Sequence, residues 1–210
     1  MIGPDRRRAG RNNLPALIAC LVLAAVAGCS SAGNGAPGGD REIHGDGEGP
    51  LSVVGPGGNS IAAPKHTPWV ATFGWSTPCT TTGDPIEIEK INYRFTVHPK
   101  AVRSVIFDAV PAHGVVGFGS TIGKPENAVR KGHVAGTFLG QPEGFEVTRS
   151  CDSDTSQGKV QILTVLTTGP RGAEVRDYSI DYTSEGEKYT LEVEYQMIAC
   201  GTDTPPAHCT

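Results

Sequence analysis

Lys188-Tyr189-Thr190-Leu191-Glu192-Val193-Glu194-Tyr195-Gln196-Met197-Ile198-Ala199-Cys200 decides the fold class. Tyr189, Leu191, Val193, Tyr195 and Met197 are apolar, while Thr190, Glu192, Glu194 and Gln196 between them are polar. Side chains of a strand alternate between faces, so this period of two describes a half-buried β-strand with one wet face. The apolar set predicts buried Tyr189, Leu191, Val193 and Tyr195, with Glu192 and Glu194 exposed. Immediately upstream, Tyr178, Ile180 and Tyr182 alternate with Ser179 and Asp181. Thr183-Ser184-Glu185-Gly186-Glu187 between the two runs reads as a hairpin with glycine at a left-handed position.

The same alternation recurs back along the chain. Trp69–Trp75 reads as a strand, and Ile86–Val97 as a second after the turn Thr82-Gly83-Asp84-Pro85. In that second strand the apolar parity changes between Ile88 and Ile91, which predicts one extra residue near Glu89-Lys90. Shorter strands are expected at Val102–Val110, Val115–Phe118, Val134–Leu139, Phe145–Thr148 and Val160–Thr167. The last is apolar on both parities and belongs in the middle of a sheet. Only Pro125–Arg130 has a helical look, and it spans one turn. Short strands punctuated by Gly and Pro make the chain an all-β protein with a single antiparallel sandwich domain over 65–210.

Two segments precede that domain. Residues 30–64 hold ten of the 28 glycines and four prolines, with few large apolar side chains, so 29–64 is expected to be a flexible linker. Ahead of it, Arg6, Arg7, Arg8 and Arg11 form a positive region, and Leu14–Ala27 is an apolar run shorter than the roughly 20 residues that span a bilayer. That run ends in Val26-Ala27-Gly28-Cys29. The arrangement resembles the lipobox of bacterial prolipoproteins, which implies cleavage of residues 1–28 as a signal peptide and a diacylglyceryl group on Cys29. It also implies a chain held at the extracytoplasmic face of the cell membrane by that lipid.

Charge and cysteine usage fit an exported protein. The whole chain carries a formal charge of −4, and residues 1–28 hold four of the 18 basic and one of the 22 acidic residues, so the remainder stands at −7. Such a balance argues against a nucleic-acid partner. With Cys20 in the signal segment and Cys29 lipidated, Cys79, Cys151, Cys200 and Cys209 remain, an even set that points to two disulfides.

The order Cys79-Thr80-Thr81-Thr82-Gly83-Asp84-Pro85-Ile86-Glu87-Ile88, then Val147-Thr148-Arg149-Ser150-Cys151, then Tyr182-Thr183-Ser184-Glu185-Gly186 through Tyr189-Thr190-Leu191 to Cys200, resembles a group of uncharacterised actinobacterial secreted and lipid-anchored proteins. The resemblance spans about Thr72–Cys200 and implies an immunoglobulin-like sandwich; it carries no activity. In such sandwiches the first and last strands often run side by side. That placement, with the larger entropy of a long closed loop, favours Cys79 with Cys200 and Cys151 with Cys209. The alternative, Cys79 with Cys151 and Cys200 with Cys209, stays open.

No catalytic residues emerge. Gly119-Ser120-Thr121-Ile122-Gly123 sets Thr121 where a hydrolase elbow needs its serine, and Gly117-Phe118-Gly119 fits a bulge or a close-packed strand better than a nucleotide loop. The histidines are scattered. Asp152, Asp154 and Ser156 place oxygens at alternate positions as calcium loops do, but Gln157 stands where the tight-turn glycine belongs and Leu163 where the bidentate glutamate does. A polar turn capped by Asp152 and Asp154 is the competing account, and neither metal nor cofactor is assigned. The expectation is a non-catalytic binding or envelope module, bound to the membrane through Cys29 and meeting a protein or cell-wall partner. An enzyme with a loop-built site is the alternative.

Overall fold

The computed structural model describes residues 49–55 and 57–209, so the signal segment, Cys29 and the first part of the expected linker lie outside the described residues. Thirteen strands and one helix follow in chain order: β1 (Leu51–Val54), β2 (Gly58–Ile61), β3 (Trp69–Thr80), β4 (Ile86–Val97), β5 (Ala101–Ala112), β6 (Val115–Val116), β7 (Ser120–Ile122), α1 (Pro125–Arg130), β8 (Ala135–Gly140), β9 (Phe145–Val147), β10 (Lys159–Thr168), β11 (Ala173–Ser184), β12 (Glu187–Val193) and β13 (Gln196–Ala199). They form two sheets packed as a sandwich. One runs β1-β3-β10-β5-β6, with β7 also on β3 and β8 also on β5; the other runs β2-β13-β11-β4-β9, with β12 also on β11. All pairings are antiparallel except β2 with β13.

The main core lies between the sheets. Phe73, Ile106, Ile162 and Leu166 come from one layer, and Ile86, Ile88, Tyr178, Ile180, Tyr182, Leu191 and Val193 from the other. A second, smaller core sits on the outer face of the first sheet, where Val105, Phe107, Ala109, Phe118 and Leu163 pack with Val129 of α1 and Phe138 of β8. β10 therefore has a core on each side, which explains its apolar residues on both parities.

Gln161 is the amide in that doubly covered strand, and it is fully buried. Between Ile162 and Thr164 the pairing with β3 slips, so Gly74-Trp75 bulges out of the ladder. The Gly74 carbonyl released by the bulge accepts from Gln161 Nε2, which also donates to the Phe118 carbonyl at 3.0 Å, while Gln161 Oε1 accepts from the Phe118 N–H at 2.7 Å. One side chain thus satisfies three backbone groups that have no access to water. Gly117, at φ +82°, lies so close that a Cβ there would collide with Gln161 Oε1.

Most strand expectations hold, including the extra residue in β4: Asp181 faces Lys90 and Tyr182 faces Ile88, leaving Glu89 as the bulge. The β11–β12 hairpin closes through Glu185 and Gly186, both at positive φ as a two-residue primed turn requires. Three expectations are corrected. First, the continuous strand 188–200 is two strands on the same side of β11, because its register slips by one residue at Glu194-Tyr195. Leu191, Val193 and Tyr195 are buried and Glu194 is exposed as expected, but Tyr189 and Glu192 are only half-buried.

Second, the linker ends earlier than residue 64. Leu51 and Val53 of β1 and Ile61 of β2 are buried in the main core, and the Leu51 N–H donates to Tyr182 Oη. Each such side chain contributes about 1.5–3 kcal/mol on burial, enough to order a short strand that also gains a ladder of hydrogen bonds. Third, the sandwich is not wholly antiparallel, since β2 enters parallel to β13.

Leu191, 1 % exposed, lies in the main core, whereas half-buried Glu192 meets Arg94 on the opposite face. Leu191→Ala should cost about 2–5 kcal/mol, and Gln161→Leu, which strands three buried backbone groups, should cost a comparable amount despite adding apolar surface. Urea unfolding followed by tryptophan fluorescence measures both. A Gln161→Leu variant as stable as the parent would show that the three contacts add nothing.

Candidate functional site

The outer face of the second sheet carries a polar network. Arg94 pairs with Asp177 and reaches Glu192 at 2.6 Å, Arg176 meets Asp177 at 2.8 Å, and Lys188 meets Glu89 at 2.9 Å. Asp181 accepts from Asn92 and Thr190, each at 2.8 Å. These groups satisfy one another across β4, β11 and β12, so the face is a solvated charge lattice. For Asp177, burial opposes ionisation, but hydrogen bonds from Arg94 and Arg176 and their charges outweigh it and hold its carboxyl below the usual range.

The outer face of the first sheet is covered by its second core, and a shallow cleft of about 320 Å³ opens at the margin of that cover. It is lined by Arg103, Ser104 and Val105 of β5, Glu126 of α1, and Phe138, Gly140 and Gln141 at the end of β8. The cleft exists because β8 leaves β5: Phe107 faces Phe138 but Ile106 faces Gly140, so Leu139 bulges and the chain turns away. Arg103 Nη2 donates to Glu126 Oε1 at 2.6 Å across the mouth. Burial works against Glu126 ionisation, yet the Arg103 hydrogen bond, its own backbone amide and the Arg103 and Lys124 charges lower its pKa overall. Behind the cleft, Tyr93 Oη lies 2.7 Å from Ser104 Oγ and 2.9 Å from Thr164 Oγ1, joining the two sheets. Burial raises the Tyr93 pKa. At this size the cleft holds a side chain or a small ligand, not a large cofactor.

The residues singled out from sequence go elsewhere. Cys29 lies outside the described residues. The cysteines pair as Cys79–Cys151 and Cys200–Cys209, with Cα atoms 4.9 and 5.7 Å apart, which overturns the expected Cys79–Cys200 and Cys151–Cys209. Cys79 ends β3 in one sheet whereas Cys200 follows β13 in the other, and the strand parallel to β13 is β2, not β3. A bridge of Thr80 to Ser150, with Thr80 N–H on the Arg149 carbonyl and Cys151 N–H on the Thr80 carbonyl, brings Cys79 and Cys151 together.

In the calcium-like segment, Asp154 caps a turn of 3-10 helix at Thr155–Gln157. Its carboxylate accepts from the Ser156 N–H and Oγ, each at 2.8 Å, and Arg149 donates to its carbonyl. The two Ser156 bonds, aided by the Arg149 charge, hold its carboxyl below the usual range. Among the described residues no three His, Cys, Asp or Glu side chains gather as a metal site. Thr121 faces Thr72 in the β3–β7 ladder, and Phe118 between Gly117 and Gly119 is the partner of Gln161. His98 packs its ring 5.0 Å from that of Phe95, and His113 occupies the β5–β6 turn at φ 51°. Nothing in the alternation of Arg103-Ser104-Val105 separates them from neighbouring strand residues; the cleft arises from where β8 stops. No family model matches the chain, and neither does any curated protein.

Loop closure makes the two bridges unequal. The Cys79–Cys151 loop spans 72 residues and the Cys200–Cys209 loop nine. Replacing both cysteines of a pair by alanine should cost about 4 kcal/mol for the first and about 2.5 kcal/mol for the second by the chain-entropy relation, read from denaturant midpoints of the two variants. Equal losses would contradict the loop-length account. On acidification, the stabilisation from Asp177 should be complete above its unfolded pKa near 3.8 and decline as pH falls through its lowered folded value. In a pH series of thermal melts, Asp177→Asn should flatten the acid limb below about pH 4 while leaving its shape above pH 5 unchanged.

Proposed function

We propose that this protein is an exported lipoprotein, tethered by a diacylglyceryl group on Cys29 to the extracytoplasmic face of the cell membrane, whose immunoglobulin-like sandwich is a non-catalytic binding module for a protein or wall partner. The observation that carries the reading is the cysteine economy. All four cysteines of the sandwich are paired as disulfides, a state maintained in oxidising compartments, while Cys29 sits behind the apolar run and small residues that the lipid-transfer chemistry requires. Two acyl chains, palmitate among them, give stable anchoring at roughly 0.8 kcal/mol per buried methylene, where one chain would not.

The non-catalytic part is supported by how the polar residues are used. Carboxylates on the charged face are bonded to arginine, lysine, asparagine or threonine, and Ser104 is bonded to Tyr93, so these groups serve the fold's own network.

Expression in a bacterium able to process lipoproteins, with labelled palmitate, tests the anchor. The parent should incorporate label and fractionate with membranes, while Cys29→Ser should lose both. An intact mass showing an unmodified Cys29 in a membrane-bound chain would overturn the tether.

A further inference from the structure

β5 has an edge that the rest of the fold leaves open. It pairs with β10 without a slip from Ala101 to Ala109, and on its other side β8 covers only Ile106–Val110. Ala101–Val105 therefore has no strand partner on that side among the described residues. Alternate N–H and C=O groups of such a segment are a template for another extended chain. The companion edge on β4, Glu89–Val97, is equally unpaired beyond β9 but is broken by slips at Glu89 and Thr96, devices that blunt an edge. The β5 segment has no bulge and no proline, and over five residues it runs about 17 Å.

Counted along the sequence, the segment that contains this edge is basic, while the cleft beside it sets Arg103 against Glu126. From Lys100 to Lys131 the chain carries five basic residues, Lys100, Arg103, Lys124, Arg130 and Lys131, against Asp108 and Glu126, in a protein whose formal charge is −4. Arg103 has a single hydrogen bond, from Nη2 to Glu126, so its Nε and Nη1 donors have no partner among the described residues. Next to it, the cleft over Val105 and Phe138 lies in line with the departing β8.

We propose that Ala101–Val105 is a peptide-binding edge that takes an extended acidic segment of a partner protein as an additional strand continuing the line of β8. One apolar side chain of that segment enters the cleft over Val105 and Phe138, and a neighbouring carboxylate takes the free donors of Arg103. Main-chain pairing supplies the generic affinity; the cleft and the Arg103 guanidinium supply selection. The proposal rests on the binding-module reading, not on the lipid at Cys29.

The test uses the purified full chain in detergent and a blocked seven-residue peptide of alternating valine and glutamate. Hydrogen exchange should slow at Ala101–Val105 and not along β4. A valine–lysine peptide should bind about tenfold more weakly or worse, and so should the acidic peptide once alternate amides facing the edge are N-methylated, a change that removes donors without touching the protein. Arg103→Glu should weaken the acidic peptide about tenfold and Arg103→Gln less, with both variants still unfolding cooperatively although the pair with Glu126 is lost.

Four results would overturn the proposal: no protection of Ala101–Val105 at about 1 mM peptide, the weakest binding worth attributing to a site; equal binding of the basic peptide; indifference to N-methylation; or protection without peptide accompanied by dimers in sedimentation, which would make a second copy the occupant. Peptide mass after incubation separates the two readings. A shortened peptide would overturn the non-catalytic module, whereas an intact peptide with no protection overturns the edge alone.

Discussion

The contact on which the sandwich depends is the triple hydrogen bond of Gln161, because β10 has no wet face. It lies between the inter-sheet core at Ile162 and Leu166 and the outer core at Leu163. A strand in that position must be apolar on both parities, and any irregularity next to it must be satisfied from within. The Gly74-Trp75 bulge is such an irregularity, and the Phe118 turn is pinned by the same amide. That amide fixes the start of the excursion from β6 to β8, which β7 on β3 and β8 on β5 hold further along. α1, the outer core and the cleft at β5 all belong to this excursion.

The parts of the fold legible in the sequence were those where one face alone is buried or where both are. Period-two alternation located β4, β5, β11 and β12, and the change of parity between Ile88 and Ile91 located a one-residue bulge that the pairing with β11 places at Glu89. What escaped was set by tertiary contacts. In the Gly- and Pro-rich stretch before residue 64, composition predicts disorder, yet Leu51, Ser52 and Val53 are buried in a strand of four residues, too short to outweigh the glycines around it. Their burial depends on the edge of β3 and on Tyr182, neither of which is local. The disulfides escaped for a related reason. Side-by-side end strands and the entropy of a long loop favour Cys79 with Cys200, but loop entropy acts on the unfolded chain, whereas geometry in the folded one puts Cys79 beside Cys151 through the Thr80–Ser150 bridge.

The candidate site was illegible for a deeper reason. Arg103, Ser104 and Val105 carry no motif, and Glu126 is separated from Arg103 by 23 positions. Their meaning comes from a negative fact of topology, the place where β8 stops pairing. Only the clustering of basic residues between Lys100 and Lys131 was visible, and in a chain of net negative charge that local reversal was the available signal.

The two faces of the sandwich leave little room for recognition elsewhere among the described residues. On the outer face of the second sheet, Arg94 is engaged with Asp177, Lys188 with Glu89, and Asp181 with Asn92 and Thr190, so a partner docking there would have to replace satisfied polar pairs at a desolvation cost close to what it gains. On the outer face of the first sheet, the second core already fills the apolar positions of β5 and β10. Exposed Val54, Trp75, Val102, Val110, Val115, Ile122 and Leu139 are spread over six strands of the first sheet. An unpaired strand edge differs from both, since its N–H and C=O groups are solvated only by water and lose little by exchanging it for another backbone. Selectivity must then come from what flanks the edge, and at Ala101–Val105 the flanks are a guanidinium with donors unpartnered among the described residues on one side and an apolar recess on the other.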